Sequence, residues 1–307
     1  MKKNQSLKNV AASVREKLRQ IREKSGEDFQ ILLGRYVNER LLYRLSKSEY
    51  KEKFILKGAL MFTIWHGSAH RITRDVDLLG LGDASITALE KVFRELCGVV
   101  IEDDGVVFDA SSVRGEEIRA QEAYVGVRII MRATIDRAVV PLQIDVGFGD
   151  DFSVEPVDVE LPSLLGLPSP VVRAYRRETA IAEKFEALVG FGLLNSRMKD
   201  YYDFWFLAQH FAFSGKELSD SIRATFNRRK TSLPFDPPPG LTENFSNDQN
   251  KQTAWRAFWK KSVKTEPIPE LSNVVKLAAS FLWPAALAAA TGKRFNLHWN
   301  PGGPWTN

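Results

Sequence analysis

The sequence predicts an α+β protein in which helices flank a mixed sheet and the C-terminal half is helical. Apolar residues recur at helical spacing through the first fifty positions, whereas apolar and polar side chains alternate along residues 124–135 and 139–148. These two periods are typical of amphipathic helices and of strands with one buried face. A proline-rich stretch at residues 152–170 then leads into a second helical region.

This proline-rich stretch predicts the domain organisation. We expect an N-terminal domain of helices and an α/β core at residues 1–155, followed by a helical domain at residues 156–307 that completes the active-site cleft. A chain of 307 residues is long enough for two domains of this size.

Composition excludes several classes of protein. Cys97 is the one cysteine, which rules out an internal disulfide framework and suits a reducing cytoplasm. We predict no secretory signal and no apolar run that spans a bilayer. His66 and His70 lie four apart, but no neighbouring residue completes a metal-site motif. The net charge of +5 permits binding to nucleic acid without requiring it.

Two amphipathic helices are predicted before the sheet. Apolar residues from Val10 to Ile21 recur every three or four positions, and Ser25 and Gly26 end that stripe. The segment 29–45 repeats the pattern. We expect both helices to pack against the sheet or to cap a cleft.

The stretch from Lys57 to Gly80 carries the first chemical signal. Lys57 and Gly58 form a turn that opens a short helix, and free backbone N–H groups at such a turn suit a phosphate. Asp75 and Asp77 follow on a strand, so both carboxylates lie on one face. A phosphate site beside two carboxylates is what magnesium-dependent phosphoryl or nucleotidyl transfer requires. Such acid pairs are also common at strand-end turns and helix caps.

The polar connector before this strand adds three candidate residues. Arg71 and Thr73 could contact a triphosphate, whereas Arg74 adjoins Asp75 and could form a local salt bridge instead.

A later strand carries a third acid. Asp145 interrupts an apolar strand between Ile144 and Val146, and a carboxylate there is costly unless it is paired or bound to a metal. If this strand neighbours the one that carries the first two acids, three carboxylates converge. Alternatively, Asp145 lies on a solvated face beside Arg128 or Arg132.

A second charged cluster is predicted in the helical half. Lys184 borders the apolar stripe of a helix at residues 178–188, and Asp200 falls on the apolar side of a helix that begins near Arg197. An acid on an apolar face needs a partner, and Lys184 is the natural one. The alternative is that Asp200 is a first-turn acid favoured by the helix dipole. Asp203 lies further round the helix and is less committed to this cluster.

Aromatic and basic residues alternate near the C-terminus. Trp255 and Trp259 recur at helical spacing and are expected in the core, while Arg256, Lys260 and Lys261 are left as candidates for RNA phosphates.

With these residues in view, the chain resembles the AbiEii-type nucleotidyltransferase toxins, a branch of the DNA-polymerase-β-like nucleotidyltransferase superfamily. The likeness is carried by KGALMF, RITRDVDLLG, IDVGFGD, AIAEKFEALV and NSRMKDYYDFWFLA, in that order. One departure is Ala59, where the family usually has a second glycine after the Lys-Gly turn. The resemblance implies the polymerase-β-like mixed sheet.

The resemblance also implies roles for individual residues. Asp75 and Asp77 would bind metal, with two Mg²⁺ ions expected, and Asp145 would be a third carboxylate that binds metal or activates the attacking hydroxyl. Lys184 and Asp200 complete the expected catalytic set. The residues expected to bind the nucleoside triphosphate are Lys57, Gly58, Arg71, Thr73, Lys184, Arg197 and Lys199.

The implied function is that of a toxin in a toxin–antitoxin system. Such an enzyme would place a nucleoside monophosphate on the 3′ end of tRNA and so block translation, and its expected protein partner is an antitoxin. Two alternatives remain at this point: transfer to a hydroxyl of a protein or small molecule, and a non-catalytic protein that binds RNA or a partner.

Overall fold

A computed structural model describes residues 9–67, 71, 73–119, 125–149, 155–263 and 267–307. The chain forms two compact units. The first comprises residues 1–150 and 156–175, and the second comprises residues 151–155 and 176–307.

The described residues of the first unit form four helices. They are α1 (Val10–Ser25), α2 (Phe29–Ser46), α3 (Leu60–His66) and α4 (Ile86–Cys97). Side chains of Asn9, Asp28 and Ser85 accept hydrogen bonds from first-turn N–H groups and so define three of the starts. Gly26 ends α1 with a φ of 69°, as the predicted break requires.

A seven-stranded mixed sheet forms the centre of this unit. Its strands are β1 (Phe54–Lys57), β2 (Val76–Gly80), β3 (Val107–Arg119), β4 (Val125–Ile135), β5 (Ala138–Gly147), β6 (Val157–Glu160) and β7 (Val171–Ala174). Their order across the sheet is β3-β4-β5-β2-β1-β7-β6. Strands β2 and β5 are parallel neighbours, and β1 pairs with β2 in the antiparallel sense.

The two faces of the sheet differ in character. On one face, Leu78, Ile129 and Val146 join side chains of α1, α2 and α4 in a continuous apolar core. Residues of the opposite parity, among them Arg128 and Asp145, project from the other face and are partly exposed. The alternation predicted for β4 is therefore confirmed, and the α+β prediction holds. The predicted first residue of that strand, Tyr124, lies outside the described residues.

The sequence predicts two short strands at residues 99–108 and 113–119, with a turn at Asp103, Asp104 and Gly105. The structure corrects this: one strand, β3, spans Val107–Arg119, with a register shift between Asp109 and Arg114. The preceding segment is held by α2 instead: Arg44 contacts the Asp104 carboxylate at 2.8 Å, and the Tyr36 hydroxyl donates to the Asp104 carbonyl. Side chains of α2 therefore satisfy polar groups of this segment that would otherwise pair with a neighbouring strand.

The proline-rich stretch also differs from a simple connector. It contains β6, and β7 follows it, so residues 156–175 belong to the first unit. The Tyr175 N–H donates to the carbonyl of Leu56 on β1, which ties this segment to the sheet.

The second unit is mainly helical. Its helices are α5 (Arg177–Phe191), α6 (Met198–His210), α7 (Gly215–Arg229), α8 (Glu243–Asn247), α9 (Gln249–Ser262) and α10 (Leu271–Thr291). Three short strands, β8 (Phe213–Ser214), β9 (His298–Trp299) and β10 (Trp305–Thr306), form a small sheet in the order β10-β9-β8. Short 3₁₀ turns occur at Lys51–Lys53 in the first unit and at Gly192–Leu194 and Pro239–Leu241 in the second.

Two predictions about the C-terminal region are tested here. Trp255 and Trp259 are both 2% exposed, so their assignment to the core is confirmed. The prediction that no apolar run could span a bilayer was wrong on length and composition, because α10 meets both criteria. Half of its most apolar window is buried inside the protein.

Candidate active site

A row of charged residues crosses the first unit's sheet. Lys57 on β1 lies opposite Asp77 on β2, Asp77 opposite Asp145 on β5, and Asp145 opposite Arg128 on β4. Glu116 on β3 extends the row by one strand. Residues in register on neighbouring strands share a face, so the charges along the row run plus, minus, minus, plus, minus, with the two acids Asp77 and Asp145 side by side. The condition set for Asp145 is thus met, since its strand is a direct neighbour of the strand that carries Asp77.

The glycine turn is built around the Asp77 carboxylate. Gly58 has a φ of 74°, and a Cβ atom at this position would lie 1.9 Å from Asp77 Oδ2. Only glycine combines this backbone conformation with that absence of atoms. On the same face, a Cβ at Gly147 would lie 3.3 Å from Lys57 Nζ, so a second glycine leaves room for the lysine.

Asp75 immediately precedes β2, two residues before Asp77, and is partly exposed. The Asn38 side chain donates to the Arg74 carbonyl at 3.0 Å and holds this approach to the strand. Arg71 and Thr73 are partly exposed on the same approach, and Arg74 is exposed. These residues therefore lie in the segment that leads into β2.

Asp145 forms a two-pronged ion pair with Arg128. Arg128 Nε donates to Oδ1 and Nη2 donates to Oδ2, both at 2.9 Å. The side chains of Arg128 and Asp145 are 33% and 22% exposed. Hydrogen bonding to Asp145 and the nearby charges of Asp75 and Glu116 raise the pKa of Arg128, despite the opposing effect of burial. The alternative that placed Asp145 beside Arg128 is therefore the arrangement observed.

The Arg128–Asp145 ion pair affects which of the three carboxylates could bind the expected metal. Among the described residues, no group of three or more His, Cys, Asp and Glu side chains is arranged to hold a metal ion. Asp75 and Asp77 supply the hard oxygen ligands that Mg²⁺ prefers. Asp145 instead directs both carboxylate oxygens to Arg128. The first two carboxylates fit a metal, whereas the third is engaged by a cation.

The second unit contains its own charged cluster. Lys184 Nζ lies 2.8 Å from Asp200 Oδ1 and 2.9 Å from Asp203 Oδ2, and Arg197 Nε lies 2.5 Å from Asp200 Oδ2. The predicted contact between Lys184 and Asp200 is confirmed. The view of Asp203 as less committed was wrong, because its side chain is fully buried against the same lysine.

The two cations set the ionisation of Asp200. Complete burial alone would raise its pKa, but the charges of Lys184 and Arg197 outweigh burial and lower the pKa below its ordinary value. Lys199, by contrast, is exposed on the first turn of α6. The N-cap of α6 is Arg197, and Asn195 Oδ1 accepts a hydrogen bond from the Arg197 N–H.

Further ion pairs join α5 to α7 behind this cluster. Arg228 and Arg229 contact Glu183, and Arg229 also contacts Glu186 at 2.6 Å. These contacts were not predicted, because the basic run at the end of α7 was not matched to the acids of α5. These ion pairs hold α5, the helix that carries Lys184, against α7.

The sequence of the chain was compared with protein-family models. Residues 40–277 match the model of the nucleotidyl transferase AbiEii toxin family of type IV toxin–antitoxin systems. The chain belongs to this family. It is accordingly a nucleotidyltransferase of the toxin–antitoxin type, and the family resemblance of its motifs is confirmed. This membership argues against the non-catalytic alternative. No curated protein is similar enough in sequence to count as a match.

The solved structure of MenT4 supports the fold of this AbiEii family member. MenT4, a nucleotidyltransferase toxin from Mycobacterium tuberculosis H37Rv, is similar with a TM-score of 0.53 at 16% identity, covering 91% of this chain and 93% of MenT4. JHP933 from Helicobacter pylori has a TM-score of 0.47 at 13% identity, covering 86% of this chain and 94% of JHP933. At these identities the likeness to MenT4 is one of fold.

Proposed function

We propose that this AbiEii family member transfers a nucleoside monophosphate from a nucleoside triphosphate to the 3′ end of tRNA and thereby blocks translation. The observation that carries the proposal is that the Asp77 carboxylate lies directly against the Gly58 turn. Asp75 lies two residues before Asp77, and Lys57 is in register with Asp77 on the neighbouring strand. Backbone N–H groups at a glycine turn and a neighbouring ammonium bind phosphate, while carboxylates bind the metal that phosphate chemistry uses.

The cofactor in this proposal is Mg²⁺, with two ions expected and with Asp75 and Asp77 as ligands. When bound, the metal would neutralise phosphate charge and lower the pKa of the attacking hydroxyl. Asp145 stays a candidate third carboxylate, although its ion pair with Arg128 argues for a different role.

The nucleotide-binding residues fall into two groups in the proposal. In the first unit, Lys57 and the backbone at Gly58 bind phosphate, and Arg71 and Thr73 lie on the approach to the carboxylates. In the second unit, Lys184, Arg197 and Lys199 bind phosphate. Asp200 contacts two of these cations and would orient them.

The proposed acceptor is tRNA, and the surface of α9 supports this. Arg256, Lys260 and Lys261 are exposed on the helix whose Trp255 and Trp259 are buried. Such a basic surface attracts phosphates without reading sequence. The proposed protein partner is an antitoxin, and the proposed compartment is the cytoplasm, where Cys97 would remain reduced.

The proposal is tested by incubating the purified protein with Mg²⁺, each α-labelled nucleoside triphosphate in turn, and total tRNA. Label on tRNA that disappears with Asp77→Ala is the expected result. Glu116→Gln is the matched control, since Glu116 is an acid of the same row on the outer strand β3. Label on a protein or small molecule instead would refute tRNA as the acceptor and support the alternative nucleotidyltransferase.

A further inference from the structure

The Arg128–Asp145 pair has a defined place in the charged row. Lys57 and Gly58 lie on the β1 side of Asp77, whereas Asp145 and Arg128 lie on the β5–β4 side. Strands are spaced about 4.8 Å apart, so the backbones at Lys57 and Arg128 are about 14 Å apart across three spacings. The two cations therefore flank the carboxylates from opposite directions along the row.

In phosphoryl transfer, the β1 side and the β5–β4 side of the carboxylates would contact different groups. The attacking and leaving oxygens lie roughly in line at the transferred phosphorus. If the nucleotide's leaving phosphates lie at the Lys57–Gly58 turn, the attacking hydroxyl approaches from the side of β5 and β4. This step rests on the proposed function.

We infer that Arg128 binds a phosphate of a polynucleotide acceptor, next to the attacking hydroxyl, and that Asp145 is a positioning residue that orients the Arg128 guanidinium. A third of the Arg128 side chain is exposed, and the two hydrogen bonds to Asp145 fix the plane of the guanidinium. A guanidinium oriented in this way is suited to planar recognition of phosphate, and it has donors beyond the two that Asp145 receives.

The neighbouring residues agree with an acceptor on this side. Beyond Arg128 on the same face of β4 lie Ile130 and Arg132, both exposed, and Pro141 on β5 is exposed opposite Arg132. Among the described residues, the sheet face that continues from the pair is thus accessible over two strands. A single strand of RNA needs such an open path to reach Arg128.

Arg132 provides a matched control. It lies on the same strand and face as Arg128, four residues or about 13 Å further along. It is also paired with a surface acid, Asp109, at 3.3 Å. Arg132→Ala removes the same charge from the same face without disturbing the row that contains Asp77.

The first experiment measures three quantities for Arg128→Ala and Arg132→Ala: steady-state kinetics of transfer to tRNA, binding of 5′-labelled tRNA without metal, and binding of the nucleoside triphosphate. For Arg128→Ala we expect the tRNA KM to rise about 10- to 100-fold, as for loss of a charged hydrogen bond. Triphosphate affinity should stay within about twofold, and the salt dependence of tRNA binding should fall by about one counterion. Arg132→Ala should raise KM by less than about threefold.

The second experiment separates the two roles of Asp145. If Asp145 orients Arg128, Asp145→Asn raises the tRNA KM, and the double variant with Arg128→Ala is no worse than Arg128→Ala alone. If Asp145 binds metal or acts as a base, Asp145→Asn lowers kcat more than 100-fold with an unchanged tRNA KM, and the inference is overturned.

Other outcomes are equally decisive. Equal effects of Arg128→Ala and Arg132→Ala on tRNA binding would overturn the inference, as would weakened triphosphate binding in Arg128→Ala. Failure of the wild-type protein to label any polynucleotide would refute the proposed function instead. If Arg128→Ala does not fold, Arg128→Lys and the paired variant Arg128→Met with Asp145→Asn replace it, since neither leaves a carboxylate without a partner.

Discussion

The carboxylate of Asp77 occupies the space where a side chain at Gly58 would begin. A Cβ atom at residue 58 would be 1.9 Å from Oδ2 and 2.6 Å from the carboxylate carbon of Asp77. The glycine turn and the acid of β2 are therefore mutually dependent, and a change at one must move the other.

Gly58→Ala should abolish transfer while leaving the protein folded. The new methyl group would displace the Asp77 carboxylate, and we expect kcat/KM to fall at least 100-fold in the labelling assay. The left-handed backbone should also cost about 1–2 kcal/mol of unfolding free energy.

Gly26→Ala is the control for this variant. Gly26 has nearly the same φ, 69°, but a Cβ there would meet nothing within 4 Å. It should show only the backbone cost of about 1–2 kcal/mol and normal activity. Equal activities of the two alanine variants would show that the Asp77 position does not matter for transfer.

Removal of the metal should stop transfer, and its binding should depend on the first two acids. A chelator should abolish labelling of the acceptor, and added Mg²⁺ should restore it, because Asp75 and Asp77 offer the oxygen ligands that Mg²⁺ prefers. Calorimetric titration should show Mg²⁺ affinity at least tenfold weaker in Asp75→Asn and Asp77→Asn. Asp109→Asn, on the outer strand β3, should bind like the wild type; a similar loss there would refute the assignment.

Lys184→Met should destabilise the protein strongly. Lys184 contacts two carboxylates, Asp200 and Asp203, whose side chains are at most 2% exposed. Loss of a shared buried partner costs about 3–5 kcal/mol, which urea unfolding can measure. The matched control is Lys216→Met, which breaks the exposed pair with Asp220 and should cost less than about 1 kcal/mol. A loss of equal size in both variants would contradict the buried-pair account.

Asp200 should make stability sensitive to acid. Its pKa in the folded protein is lowered by Lys184 and Arg197 against the effect of burial, so the folded state binds its proton less readily than the unfolded state. The stabilisation is present above the ordinary carboxyl pKa of about 3.9 and is lost as pH falls through the lowered folded value. The unfolding free energies of wild type and Asp200→Asn should therefore converge below about pH 4.

Glu39 gives the opposite sign and serves as a comparison. Burial raises the pKa of Glu39, despite the hydrogen bond from the Leu164 N–H, the charge of Arg40 and the hydrogen bond from the Ser163 hydroxyl. Its ionisation therefore opposes folding as pH rises through the raised value. Glu39→Gln should gain stability relative to wild type as pH increases.

For Asp200, the contrary outcome is a difference in unfolding free energy between wild type and Asp200→Asn that grows on acidification. That result would show that the assigned direction of the Asp200 pKa shift is wrong.

Some of the candidate site could be predicted because it depends on residues close in sequence. The alternation of strand side chains predicts that Asp75 and Asp77 share a face, and the buried and exposed sides of β4 follow the same rule. Strand β1 was not predicted, since a four-residue strand carries little periodicity. Its pairing nevertheless places Lys57 opposite Asp77.

Asp203 shows why the burial of individual residues around a helix could not be predicted from their sequence spacing alone. Helix α6 buries residues on nearly all sides, including Tyr201, Tyr202 and Phe206 as well as both acids. A helix buried all round has no single apolar stripe from which to judge a polar residue. The contact with Lys184 depends on where the fold places α5 relative to α6, which neither helix specifies alone.

By itself, the sequence determined the family, the α+β class, the local faces of helices and strands, and the acids available for chemistry. These follow from short-range backbone geometry and from motifs whose residues are near one another. The tertiary structure alone decided that β5 lies parallel to β2 in register, and hence that Asp145 faces Asp77 on one side and Arg128 on the other. Strand order and register depend on packing between distant segments, because the free energy of burying one sheet face is shared by the whole core.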